Sequence, residues 1–190
     1  MRRVAAALVH FPVLDRDGTT VTSAITNLDL HDLARSAYCY GLSDLFVTHP
    51  IAAQRELACR VRTHWTEGSG ARRIPDRKPA LSLLRVVSCL EQVLEILGGP
   101  SEVSLWVTSA RAASEPLLDY ERARQCLRSH GPTVLIAFGT GWGLAAPVTQ
   151  MAESRLAPIG SPRADGFNHL SVRAAAAIVF DRLLAPRTAR

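Results

Sequence analysis

The sequence predicts a single α/β domain built on a parallel sheet. Three observations carry this expectation. Short apolar runs alternate with longer stretches of helical period, the pattern left by parallel strands joined through crossover helices. The chain has 190 residues, of which 47% are hydrophobic, enough for one domain with a sizeable core. One apolar run also ends directly in closely spaced glycines, as strands do where an α/β sheet presents its carboxyl edge to a ligand.

The elements follow in order. Residues 4–9 read as the first strand, since about six apolar residues before His10 and Pro12 are too few for a signal-peptide core. Residues 29–40 read as a helix with Leu30, Leu33, Ala34 and Ala37 on its apolar face and Asn27 or Asp29 as its cap. A strand at 44–48 and a helix at 51–65 come next. Residues 66–79, with Gly68, Ser69, Gly70, Pro75 and Pro79, form the longest predicted loop. Leu83, Val87, Leu90, Leu94 and Leu97 recur at spacings of three and four, predicting one helix over 80–97. The remaining strands are expected at 103–108, 133–138 and, more weakly, 155–159. The remaining helices are expected at 117–129, 144–152 and 170–184. Asn168 can cap the last of these, and the alanines after Arg173 allow another backbone to pack closely.

Composition narrows the function. The formal net charge is +5, and Lys78 is the single lysine among 22 basic residues. Arginine suits oxyanions because its planar fork binds them bidentately. Between Arg55 and Lys78 there are seven positive residues against three negative ones, so Arg72, Arg73, Arg77 and Lys78 are candidate polyanion contacts. No uncharged apolar stretch is long enough for a transmembrane helix, so no membrane association is expected. The spacings of Cys39, Cys59, Cys89 and Cys126 match no zinc or redox motif. They read as reduced core thiols of a cytoplasmic protein, with no metal.

Three segments carry candidate chemistry. Thr133-Val-Leu-Ile-Ala-Phe-Gly-Thr-Gly-Trp-Gly-Leu-Ala runs from a strand into Gly139, Gly141 and Gly143, where a ligand could approach bare backbone amides. A Gly/Pro-rich stretch beginning Ala157-Pro-Ile-Gly ends in Asn168, His169 and Ser171, with Arg173 just beyond. Capping explains Asn168 but not the cluster of His169, Ser171 and Arg173. Asn27-Leu-Asp-Leu-His-Asp-Leu-Ala-Arg places Arg35 about two turns after Asn27 on the predicted helix.

In this order and spacing the three segments resemble the SPOUT superfamily of S-adenosylmethionine-dependent RNA methyltransferases. Asn27 to Gly41 resembles motif one of its SpoU-like branch, Phe138-Gly-Thr-Gly-Trp-Gly-Leu motif two, and Pro158-Ile-Gly through Asn168-His-Leu-Ser-Val-Arg motif three. The likeness, strengthened by Asp-Arg-Lys-x-Ala-Leu-Ser-Leu and Thr-Ser-Ala-Arg, extends to a bacterial subfamily with unassigned substrate. It implies a Rossmann-like parallel sheet with a C-terminal trefoil knot at about 132–190. It also implies a homodimer through the knot region, and the last helix is apolar enough to bury more than one face. By the same resemblance Ser109, Gly139, Thr140, Gly141, Trp142, Gly143, Leu144, Pro158, Ile159, Leu170 and Ser171 bind the cofactor. Arg35 and His169 are the implied catalytic residues, with Asn27 and His31 positioning substrate.

The chain departs from the SpoU pattern twice. No glutamate lies between Phe138 and Leu144, and His169 stands where asparagine is usual. The acceptor is therefore either a ribose 2′-hydroxyl, with Arg35 stabilising the developing alkoxide, or a base nitrogen of tRNA or rRNA. In the second case Asp165, His169 or His10 is the general base. The competing readings are a catalytically silent knot protein that binds RNA or a partner, and a conventional nucleotide-binding α/β enzyme.

Overall fold

The computed structural model describes residues 1–110 and 116–186. In chain order its first half comprises β1 (Val4–Val9), β2 (Val13–Leu14), β3 (Thr20–Val21), α1 (Asn27–Cys39), β4 (Asp44–Thr48), α2 (Ala52–Thr66), α3 (Ser69–Arg73), a 3₁₀ turn at Pro75–Arg77 and α4 (Lys78–Ser82). β5 (Leu84–Val87), α5 (Leu90–Ile96), β6 (Val103–Val107), α6 (Tyr120–Arg128), β7 (Thr133–Gly139), α7 (Ala146–Gln150), β8 (Ser154–Arg155) and α8 (Val172–Leu184) complete it.

Six strands form one parallel sheet in the order β5-β4-β1-β7-β6-β8, and β2 and β3 make a separate antiparallel hairpin. β1 lies inside the sheet with every residue buried, and successive side chains alternate between its faces. Val4, Ala6 and Leu8 join a core with residues of α1, α6 and α8, while Ala5, Ala7 and Val9 join another with α5 and α7. Continuous apolar strands are what a sheet covered on both faces requires. At the amino ends of the strands, Asp44 is buried and pairs with Arg3 at 2.5 Å and Arg85 at 3.5 Å, tying together the starts of β1, β4 and β5.

α8 is held at several points. Its Ala176, Val179, Phe180 and Leu183 are buried, with Phe180 edge-on to Phe138 of β7 at 5.6 Å. Near its C-terminus Arg124 of α6 donates to the carbonyls of Arg182 (2.9 Å) and Ala185 (3.0 Å), satisfying acceptors that a helix end leaves open. The Tyr40 hydroxyl donates to Asp181 at 3.1 Å from the end of α1.

Several expectations are corrected. The span 80–97 is the end of α4, the edge strand β5 and the helix α5, because Leu84–Val87 pairs with β4. Residues 66–79 are largely short helical turns rather than one loop. Thr26, not Asn27 or Asp29, caps α1, and Ser171 caps α8 while the Asn168 amide donates to the Ile159 carbonyl at 2.8 Å. The four cysteines are free, but Cys39 and Cys59 are exposed and Cys89 is half-buried, so of the expected core thiols only the half-buried Cys126 packs against the main core. The Thr108–Arg111 motif ends at Arg111, outside the described residues.

Candidate functional site

At the carboxyl edge of the sheet lies a cavity of about 660 Å³. Its walls include Ser23, Thr26 and Asp29 before and within α1; Thr108 and Ser109 after β6; Tyr120 of α6; Phe138 to Gly143 at the end of β7; and Ala157, Ile159, Gly166 and Asn168 to Val172 leading into α8, with Ala175 and Val179 on it. Ligands of open α/β sheets bind at this edge, where crossovers leave in opposite directions.

The glycine loop is shaped by the hairpin beneath it. The Trp142 amide donates to the Leu14 carbonyl and the Leu14 amide to the Gly143 carbonyl, both at 2.9 Å. The amides of Thr140 and Gly143 are also engaged, by the carbonyls of Val9 (3.3 Å) and Thr140 (3.1 Å). The expectation of bare amides is therefore corrected at Thr140, Trp142 and Gly143, whose donors belong to the loop's own fold. A Cβ on Gly139 would meet the Leu144 amide nitrogen at 2.6 Å, and one on Gly141 the Leu14 oxygen at 2.8 Å. A Cβ on Gly143 would meet nothing within 4 Å, and its φ of +107° suits glycine.

On the opposite wall, Thr26 Oγ1 accepts from the Asp29 amide at 3.1 Å and donates to Asp29 Oδ2 at 2.6 Å. Asp29 is buried, and its Oδ1 takes a hydrogen bond from Arg173 of α8 at 2.7 Å. Arg173 also reaches Asp32 at 3.4 Å, so this pair joins the starts of α1 and α8. Arg173 thus serves the architecture of the cavity, and Asp29 is a neutralised carboxylate rather than a free base.

At the mouth, the His169 ring lies between Trp142 (centroids 5.4 Å apart, planes at 79°) and Phe167 (5.3 Å), with all three side chains exposed. Neither ring nitrogen of His169 is bonded to a described residue. The other two candidate bases are spent. Asp165 is held by the Arg163 guanidinium and the Phe167 amide, which push its carboxyl below the usual range. His10 is wholly buried behind the cavity, with Nδ1 2.9 Å from the Ser23 hydroxyl, which in turn bonds Thr140.

His49 continues that network in a defined tautomer. The Ile51 amide donates to its Nδ1 at 3.1 Å, so Nε2 carries the proton and donates to the Ser23 carbonyl at 2.9 Å. Burial, with a smaller effect of His49, lowers the pKa of His10 from 6.5 to about 4. The unfolded chain takes up this proton near pH 6.5 and the folded chain only near 4, so stability falls as pH drops between them, by about 3 kcal/mol from this group. Urea midpoints on either side of that window should show the loss, and His10→Asn should shrink it; an undiminished loss would place the acid sensitivity elsewhere.

Of the residues expected at the site, the cavity brings together Ser109, Gly139, Thr140, Gly141, Trp142, Gly143, Ile159, Leu170, Ser171 and His169. Leu144 is buried beneath the loop and Pro158 does not line the space. Arg35 and Asn27 are exposed outside it, and His31 is buried on another face of α1. Arg72, Arg73, Arg77 and Lys78 lie on α3, the 3₁₀ turn and the start of α4. The sequence reading did not place Ser23, Thr26 and Asp29 in this wall.

Comparison with known proteins adds a family and a fold. The model of a family described as SAM-dependent RNA methyltransferase matches residues 3–185. A protein of Oleidesulfovibrio alaskensis named tRNA (guanine-N(1)-)-methyltransferase is 40% identical over 185 residues, which are 96% of this chain but 42% of that protein. The chain thus spans less than half of that relative. TrmJ from Z. mobilis superposes with a TM-score of 0.63 at 16% identity, over 98% of this chain and 70% of that one. The SpoU methyltransferase AviRb from Streptomyces viridochromogenes, solved with AdoMet, gives 0.56 at 13% identity, over 96% and 57%.

Proposed function

The chain belongs to the SAM-dependent RNA methyltransferase family, and from that membership we propose that it methylates a nucleobase nitrogen of tRNA or rRNA with His169 as proton acceptor. The single observation that carries this reading is the mouth of the cavity, where His169 is the one titratable group without a protein partner among the described lining residues. Ribose chemistry calls for a cation beside the developing alkoxide. No arginine lines the cavity among the described residues. A nucleobase N–H is a far stronger acid than a ribose hydroxyl, so an imidazole suffices for it.

The cavity fits the cofactor. Its volume falls within the range of small-molecule sites, and its lining combines apolar walls (Phe138, Ile159, Leu170, Val179) with the hydroxyls of Ser23, Thr108, Ser109 and Thr140. S-adenosylmethionine supplies an activated methyl group when bound. Of the expected cofactor residues, those that line the cavity (Ser109, Gly139 to Gly143, Ile159, Leu170 and Ser171) would hold it, and the aromatic rings at the mouth would orient the acceptor base. His169 then takes the proton that the base nitrogen loses.

A trefoil knot at the C-terminus is supported by the chain path. The Leu156 amide donates to Val107 at 2.9 Å, while Arg155 accepts from the Leu118 amide at 2.8 Å and Ala157 donates to Leu118 at 2.9 Å. Residues 155–157 therefore run between two points of the chain that are close in sequence. Ala174, Ala177 and Ile178 remain partly uncovered on α8, which supports a homodimer through this region. Free cysteines suit a cytoplasmic protein.

Two measurements test the reading. Calorimetry should give micromolar binding of S-adenosylmethionine and none of NAD or ATP; no S-adenosylmethionine binding would overturn it. Radiolabelled methyl transfer into RNA from cells lacking the protein, followed by nucleoside identification, should yield a base-methylated nucleoside, and a ribose-methylated one would reject the nitrogen assignment.

A further inference from the structure

α1 carries a second site on the face turned away from the cavity. Asp29 faces the cavity, and His31, two residues on, points to another side of the helix. The His31 ring meets the indole of Trp65 edge-on, with centroids 5.1 Å apart and planes at 87°. His64 meets the same indole at 5.3 Å and 83°, and the Arg77 guanidinium lies over it, 4.7 Å from the centroid. α1, α2 and the 3₁₀ turn thus converge on one tryptophan. Arg35 follows His31 by one turn on the same side of α1 and is exposed.

The cations there outnumber the carboxylates that answer them. Among the described residues the side chains of Arg35, Arg72, Arg73 and Lys78 have no hydrogen bond or ion pair, and Asp32, the nearest carboxylate on α1, reaches Arg173 at 3.4 Å. Burial lowers the pKa of His31, helped by Arg77 and, more weakly, by Arg35 and opposed by Asp32. His31 Nδ1 is buried without a partner. A face that gathers cations without neutralising them attracts a polyanion, and guanidinium forks match phosphate oxygens in pairs.

We infer that this face grips the phosphodiester backbone of the RNA outside the cavity, with Arg35 and Arg77 as phosphate ligands and Trp65 as the platform that fixes Arg77. The inference rests on the reading of RNA as substrate and removes Arg35 from the reacting atoms, where sequence resemblance had placed it. Six residues separate Asp29 from Arg35, about 9 Å along the helix axis, which is on the order of three stacked nucleotides. A strand gripped here can therefore deliver a nearby nucleotide to the cavity.

The test compares Arg35→Ala, the Arg35→Ala/Arg77→Ala double variant and a charge-matched control, Arg122→Ala/Arg128→Ala on α6. Methyl transfer is measured into total RNA from cells lacking the protein, with binding of the same RNA across a salt series. Arg35→Ala, which removes an exposed side chain without partners, should raise KM for RNA several-fold at unchanged kcat. The double variant should raise it about tenfold or more and flatten the slope of log K against log salt by roughly 1.4–1.8, the loss of two phosphate contacts. The control should change neither, and S-adenosylmethionine affinity should be constant throughout. Unchanged KM and slope in the double variant, with wild-type transfer intact, would overturn this inference and leave the methyltransferase reading standing. A collapse of kcat at saturating RNA in Arg35→Ala would also overturn it, returning Arg35 to the chemistry. Failure of the wild-type protein to bind any RNA would defeat both.

Discussion

Replacing His169 with alanine should lower kcat for methyl transfer by roughly 10²- to 10⁴-fold, the usual contribution of a positioned acid–base group. The reasoning is by elimination within one cavity. Asp165 is held by Arg163, Asp29 by Arg173 and Thr26, and His10 is buried behind the wall, which leaves one imidazole at the mouth with both nitrogens unbonded to described residues. Its neighbours Trp142 and Phe167 hold the ring by its edges and faces rather than by hydrogen bonds, so alanine removes the base without unmaking a polar network. Cofactor affinity should change far less than kcat. Single-turnover rates with saturating S-adenosylmethionine are the measurement, and a rate within about threefold of wild type would discard His169 as the proton acceptor, since it falls well short of that contribution.

The second large effect falls on binding. Gly139→Ala should weaken S-adenosylmethionine binding by on the order of 100-fold, about 3 kcal/mol, because the added methyl would meet the backbone at Leu144 N and Gly143 C, 2.6 and 2.8 Å away. Backbone cannot turn aside as a flexible side chain can, so the loop must shift from the hairpin that shapes it. Gly160→Ala is the control, since a Cβ there meets nothing within 4 Å. Calorimetry on both variants decides the point; equal affinities would show that the loop can relax without cost to the cavity.

What could be read in the sequence was what local chemistry determines. The strand at 4–9 is a continuous apolar run and that at 44–48 is apolar between Asp44 and Thr48, and both form at those positions. The segment Leu84–Val87 was hidden because its apolar residues also satisfy a helical period, and only the neighbouring β4 decides between the two. The glycine loop and the His169 stretch were legible as places, but not in their hydrogen bonding, since the Trp142 amide and the Gly143 carbonyl pair with Leu14 of a hairpin some 130 residues earlier. The joining of Asp29 to Arg173 across 144 positions, like the meeting of His31, Trp65 and Arg77, depends on packing that no local pattern encodes.

The last segment of the chain has a consequence for when the site comes into being. Ala157, Ile159, Gly166 and Asn168 to Val172, with Ala175 and Val179, supply one whole side of the cavity, whereas β1, β4, β5, β6 and β7 and the β2–β3 hairpin are complete by Gly139. A chain folded only as far as the glycine turn therefore lacks one side of the cavity, which closes when α8 docks between α1 and α6.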